Sequence, residues 1–299
     1  MEFIAKRAHT PTVRQVTPSE ATAPPSWPMP VAEFLAGRYL KRADVVLTRK
    51  QNDWRSWFIR WATHSKFSHS ALVFLVPYDE VGFDNTFVIE AASEGVDLTN
   101  LLDYVNDRRT VLGIKRCTKE WFDWEIQSHV RGRTLNSIKS RYSYRTIWQI
   151  AMASLDRLLY GVRNRIQGPE KALKTRTNKS LMAPNEFICS GLVQMGFATV
   201  IGDRVKQGKL PPTALAEIIF DDDLASTLSK TDWSTHTPEA QREIIYEYVA
   251  EFEDVLEAVT PEDLAVTKHL DWIYVIRDGK VYPVVSAVDA SKLLDWEPT

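Results

Sequence analysis

Three residues are of the types that an acyl-transfer centre needs: Cys189 as a candidate nucleophile, His69 as a candidate base and Glu90 as a candidate for the group that orients the base. A thiol attacks a carbonyl only as the thiolate, so it needs a base to take its proton and donors to hold the oxyanion that follows. Cys189 lies in Pro184-Asn185-Glu186-Phe187-Ile188-Cys189-Ser190-Gly191-Leu192-Val193, where Asn185 is a good N-cap and Glu186 suits a first helical turn. That places Cys189 near a helix start, where free N–H groups and partial positive charge lower a thiol pKa. A buried structural cysteine is the competing reading, because cysteine is among the most buried residue types.

The elements that must position these residues lie upstream. Ser68 to Val76 is a nearly continuous apolar run opened by His69 and stopped by Pro77, the strongest strand signal in the chain. Thr86 to Ala92 reads as a second strand, antiparallel to the first, with Glu90 near its end. If the two strands are neighbours, His69 and Glu90 meet at one end of a sheet. The other histidines fall in less favourable places: His9 in a Pro/Thr-rich arm, His64 in a helix-to-strand turn, His129 in a helix, His236 before a helix cap and His269 before a hairpin. No recognisable metal-ligand spacing occurs, and the residues imply no cofactor.

Residues 1–30 are rich in Pro, Thr, Ser and Ala and read as an extended or disordered arm. The core is expected over residues 31–202. Ala43 to Thr48 reads as a strand, and Trp54, Phe58, Trp57 and Trp61 follow the i, i+3, i+4, i+7 spacing of a one-sided helix. The ten tryptophans are read mainly as core and helix-packing residues. Gly95 to Leu98 is expected to begin a connection, Val111 to Arg116 a third strand and Trp121 to Val130 a helix.

Between Arg131 and Lys179 there are twelve Lys and Arg against two acids, Asp156 and Glu170, and Ile147 to Ile166 reads as a basic amphipathic helix. Such a helix is either solvated on its basic face or rests on an anionic membrane surface. Residues 203–259 read as a helical insertion with an acidic helix after Thr237-Pro238-Glu239. Residues 260–299 return to the core with a hairpin, Trp272 to Tyr282, turned at Asp278-Gly279.

The 299 residues carry a net charge of -2, with 44% hydrophobic and 25% charged residues, an ordinary globular composition that gives no global reason to expect nucleic-acid binding. Two cysteines, Cys117 and Cys189, form no disulfide scaffold. Met1 to Glu20 lack the apolar core of a secretory signal, and no apolar run reaches membrane-spanning length. The expectation is a cytoplasmic protein, with delivery elsewhere needing a route other than the general secretory one. The oligomeric state is left open.

Phe67-Ser68-His69-Ser70-Ala71-Leu72-Val73, then Val88-Ile89-Glu90-Ala91, then Phe187-Ile188-Cys189-Ser190-Gly191-Leu192-Val193 resembles the circularly permuted papain-like amidases, the YiiX/YaeF-like branch of the NlpC superfamily. Asp44 to Thr48 resembles that group's opening Gly-Asp-hydrophobic segment, with Ala43 in place of the glycine, and Thr260 to Leu264 resembles its Pro-x-Asp-Leu segment. The resemblance implies an α+β, permuted papain-like fold with an antiparallel sheet on the cysteine-bearing helix. It further implies that Cys189 is the nucleophile, His69 the general base and Glu90 the third member. Ser190, Tyr142 and Tyr144 are the further candidates for oxyanion or substrate contacts, with core packing the alternative for the tyrosines. The expected activity is cleavage of an amide in a peptide-like substrate. A lipid thioesterase or acyltransferase acting on an acylated substrate is the second reading, and an inactive binding module the third.

Overall fold

The computed structural model describes residues 26–80, 82–138, 141–142, 186–220, 222–251 and 259–294. The expected arm up to residue 25, the Ile147–Ile166 helix, Tyr144 and the last part of the acidic helix lie outside the described residues. What is described is α+β, built on an eight-stranded antiparallel sheet. In spatial order its strands are β1 (Met29–Pro30), β10 (Lys280–Pro283), β9 (Asp271–Arg277), β6 (Thr110–Arg116), β2 (Val45–Lys50), β3 (His69–Leu75), β4 (Phe87–Ala92) and β5 (Gly95–Asn100). A separate parallel pair joins β7 (Arg141–Tyr142) to β8 (Glu186–Phe187).

The central strands β2 and β3 read as continuous apolar runs because both faces of the sheet are covered. Val45, Leu47 and Leu72 enter one apolar cluster, and Val46, Ala71 and Val73 enter the other. The first cluster lies under α5 (Cys189–Lys206), which crosses β3 and β4 and runs beside α4 (Trp124–Leu135). Gly196 sets the spacing of those two helices, since a Cβ there would meet Thr134 Cγ2 at 2.6 Å.

α5 runs past the expected boundary at 203 to Lys206, and helices α6 (Thr213–Ala216), α7 (Asp222–Ser229) and α8 (Pro238–Glu251) follow it. Their buried residues Leu215, Leu228 and Ile245 join the same cluster as α5. Buried Gln194 stitches this region to α5: its amide donates to the Ile218 carbonyl (3.0 Å) and accepts from the Phe220 N–H (2.7 Å).

The final hairpin forms at Asp278 and Gly279, whose φ values of 54° and 71° are those of a tight left-handed turn.

Asp44 enters the core just before β2 and is fully buried. Arg116 grips it with two parallel hydrogen bonds of 2.7 Å, and the Lys41 N–H adds a third at 2.8 Å. Ala43 holds φ 61°, the left-handed region that glycine adopts without strain.

Four expectations are corrected. Gly95 to Asn100 is a strand, paired with β4 from Phe87↔Asn100 to Ala92↔Gly95. Met29 and Pro30, assigned to the arm, form the edge strand β1, and Met29 is buried. Glu186 lies in β8 and not in a helical turn, and the residue before α5 is Ile188, with no side-chain cap. Among the described tryptophans only Trp272 is buried; Trp27, Trp121 and Trp233 pack half-buried against the core as expected, but those of α2 (Trp54–Thr63) point outward.

Candidate active site

The geometry of the candidate site follows from strand register. Leu72 pairs with Ile89, which puts Glu90 opposite Ala71. Its side chain therefore reaches diagonally to His69, two residues back along β3 on the same face. The contact is an ion pair and hydrogen bond between His69 Nε2 and Glu90 Oε2. On the other side β5 pairs Asp97 with Glu90, so Thr99 is the diagonal neighbour on that face. Thr99 Oγ1 donates to Glu90 Oε1 at 2.5 Å.

Tyr104, in α3 (Leu101–Val105), donates its hydroxyl to Glu90 Oε2, and its ring stacks on the His69 imidazole with centroids 6.3 Å apart. Glu90 thus accepts from three side chains in a site where its own exposure is 5%. Burial alone would raise its pKa, but the His69 charge and the bonds from His69, Thr99 and Tyr104 bring it down to about 2.

His69 also interacts with Cys189, whose charge and side chain act on the imidazole. With Nε2 committed to Glu90, Nδ1 is the nitrogen left for the thiol. Burial would lower the imidazole pKa, yet the negative charge of Cys189 and Glu90 and the bonds to both lift it to about 10. On Cys189, burial opposes ionisation, and the His69 charge and hydrogen bond overcome it and lower the thiol pKa. The Ser70 N–H and hydroxyl add to that pull. The buried Ser70 hydroxyl has no other hydrogen-bond partner among the described residues. Cys117, also buried, is pushed the opposite way, to about 11, because burial there finds no such compensation.

Cys189 is the first residue of α5. The first helical bond runs from the Leu192 N–H to the Ile188 carbonyl at 3.0 Å, so the N–H groups of Cys189, Ser190 and Gly191 have no helical acceptor. They give the turn at the thiol the donor capacity that an oxyanion requires.

The segment Val259 to Thr267, which contains α9 (Pro261–Val266), braces both halves of the site. Its Val259 carbonyl accepts the Ser190 hydroxyl at 2.5 Å, and Glu262 accepts the Lys66 N–H at 2.9 Å, three residues before His69. Thr260 and Asp263 form the capping box at its start. At its end the buried Lys115 ammonium donates to the carbonyls of Leu264, Ala265 and Thr267 at 2.8 to 2.9 Å.

The structure thus brings together Cys189, His69 and Glu90. Ser190 lies beside them, but its hydroxyl is committed to Val259, which leaves only its N–H for an oxyanion. Tyr142 lies in β7, paired with Phe187 of β8 just before the start of α5; its side chain and Tyr144 are outside what is described. Thr99, Tyr104 and Ser70 are the site residues that sequence reasoning missed. The alternation Val96, Asp97, Leu98, Thr99 carried a strand signal that placed Thr99 beside Glu90. Among the described residues no group of three or more His, Cys, Asp and Glu is arranged to hold a metal ion.

No family model and no curated protein matches the chain. One solved structure that does match is the crystal structure of metalloprotein YiiX from Escherichia coli O157:H7, with a TM-score of 0.41 and 14% identity over 79% of this chain and 97% of that one.

Proposed function

We propose that this chain is a thiol-dependent hydrolase of amide bonds in peptide-like substrates, built as a permuted papain-like fold with Cys189, His69 and Glu90 as its catalytic residues. The observation that carries this reading is the continuous chain from Glu90 through His69 to a Cys189 thiol whose pKa is lowered at the first residue of a helix. The order of strand, strand and helix, with α5 packed on β3 and β4, supports the permuted arrangement.

In the proposed reaction the Cys189 thiolate attacks the carbonyl carbon, and the free N–H groups of the first turn of α5 receive the oxyanion. The His69 imidazolium gives its Nδ1 proton to the leaving nitrogen as the C–N bond breaks, which releases an amine and leaves a thioester. Water then loses a proton to His69 as it adds to the thioester, and the C–S bond breaks to give a carboxylic acid and the thiolate. Glu90 remains ionised throughout and holds the imidazole in one orientation.

The test is mass spectrometry of protein quenched in acid during turnover of a peptide-amide or activated-ester library. An acyl adduct on the peptide containing Cys189, absent from Cys189→Ala, supports the reading. Absence of any adduct and of any turnover across the library, with the protein folded, contradicts it.

A further inference from the structure

Helix α2 is built inside out. Its large apolar side chains Trp54, Trp57 and Trp61 share one stripe, 74%, 58% and 42% exposed, whereas the side it buries carries Ser56 and Thr63. An amphipathic helix of a globular protein ordinarily turns its apolar stripe to the core. Here the stripe faces away from it. Trp57 and Trp61 stack with centroids 6.4 Å apart, so they present one continuous aromatic plate.

The charges on this helix have one sign. At 100° per residue, Arg55 and Arg60 fall on opposite flanks of the tryptophan stripe. Arg55 lies over the Trp54 ring, 5.6 Å from its centroid, and Arg60 folds back to bond the Ser56 carbonyl at 3.3 Å. No acidic residue occurs from Trp54 to Thr63. The preceding Asp53 is occupied as the N-cap, accepting the Ser56 N–H at 2.8 Å.

An outward tryptophan stripe flanked on each side by one arginine suits a helix lying in the plane of a bilayer surface. Indole rings favour the headgroup boundary, where one part is apolar and the other wet, and arginines reach from the flanks to lipid phosphates. From this geometry we infer that α2 is a docking face for an anionic phospholipid surface. The same helix ends six residues before His69 in the chain. The inference stands independently of the catalytic reading, since nothing in it uses the thiol.

The experiment is co-sedimentation of the full chain with sucrose-loaded vesicles, of phosphatidylcholine alone or with about one third phosphatidylglycerol. The parent is expected to sediment with the anionic vesicles and far less with the neutral ones. Trp57→Ala/Trp61→Ala, whose side chains are solvent-exposed and whose fold is checked by circular dichroism, is expected to lose binding about tenfold or more. Arg55→Gln/Arg60→Gln is expected to lose it severalfold, and added salt to weaken the parent's binding. Failure of the parent to bind anionic vesicles overturns the inference, as does binding that the tryptophan variant leaves unchanged. A concentration-dependent dimer abolished by the tryptophan variant, with no vesicle binding, assigns the face to a second copy of the chain and overturns it equally. Cys189→Ala is expected to bind as the parent does, which separates this result from the fate of the catalytic reading.

Discussion

Tyr104 donates its hydroxyl to the same Glu90 oxygen that binds His69 Nε2, and its ring lies along the imidazole it helps to fix. One aromatic side chain therefore acts on both members of the pair. Tyr104→Phe keeps the ring and removes one of Glu90's three donors. A hydrogen bond to a charged group contributes about 1.5 to 3 kcal/mol, and one pKa unit corresponds to about 1.4 kcal/mol. The expected outcome is a Glu90 pKa higher by about one unit, read as an acid limb of the rate profile that moves to higher pH, with the fold retained. An unchanged profile would mean that Tyr104 serves packing alone.

Glu90→Gln preserves shape and removes charge. His69 then loses a negative neighbour, and the expected result is a higher pH midpoint for Cys189 ionisation. The stability consequence has a definite sign. Glu90's folded pKa of about 2 lies below its unfolded value, so its contribution is present above the unfolded pKa and is lost as pH falls towards 2. His69, raised to about 10, contributes fully below its unfolded pKa and loses that contribution as pH rises through 10. Urea midpoints across pH 3 to 10 are expected to show both slopes in the parent and a flattened acid slope in Glu90→Gln.

Ser190→Ala separates framework from chemistry. Its hydroxyl is spent on the buried Val259 carbonyl, so its removal is expected to cost about 1 to 3 kcal/mol in urea unfolding. The pH midpoint for Cys189 alkylation is expected to stay in place, because the N–H of residue 190 remains. A shift of that midpoint would instead give the hydroxyl a part in the site.

Arg116→Met tests the buried pair where β2 begins and β6 ends. Asp44, fully buried, would lose both guanidinium bonds and keep only the backbone donor. Breaking a buried pair from one side costs about 3 to 5 kcal/mol, while replacing both partners with apolar residues is often neutral. Urea unfolding is expected to show a large loss in Arg116→Met and a substantial recovery in Asp44→Leu/Arg116→Met.

The strands that carry His69 and Glu90 were legible because a core strand buried on both faces must be apolar, and a polar residue at its end then stands out. Cys189 was legible by its type and its neighbours, although the cap expected at Asn185 gave way to an uncapped start at Ile188. Tyr104 escaped because it lies in the five-residue helix α3, too short to show a period, and because its partner is fixed by tertiary contact. The α2 stripe was legible as one-sided, but the reading of the tryptophans as mainly core and helix-packing residues did not anticipate that this stripe faces outward. Periodicity reports that a helix has two faces; whether the apolar one turns inward depends on what the rest of the chain offers it.

The most direct test of the central claim is the pH dependence of iodoacetamide alkylation at Cys189, with Cys117 as internal control, in the parent and in His69→Ala. The account predicts that Cys189 reacts well below the pH at which an ordinary thiol ionises, that Cys117 stays unreactive there, and that His69→Ala moves the Cys189 midpoint upward. A Cys189 that titrates like Cys117, or one whose midpoint is indifferent to His69, would contradict it.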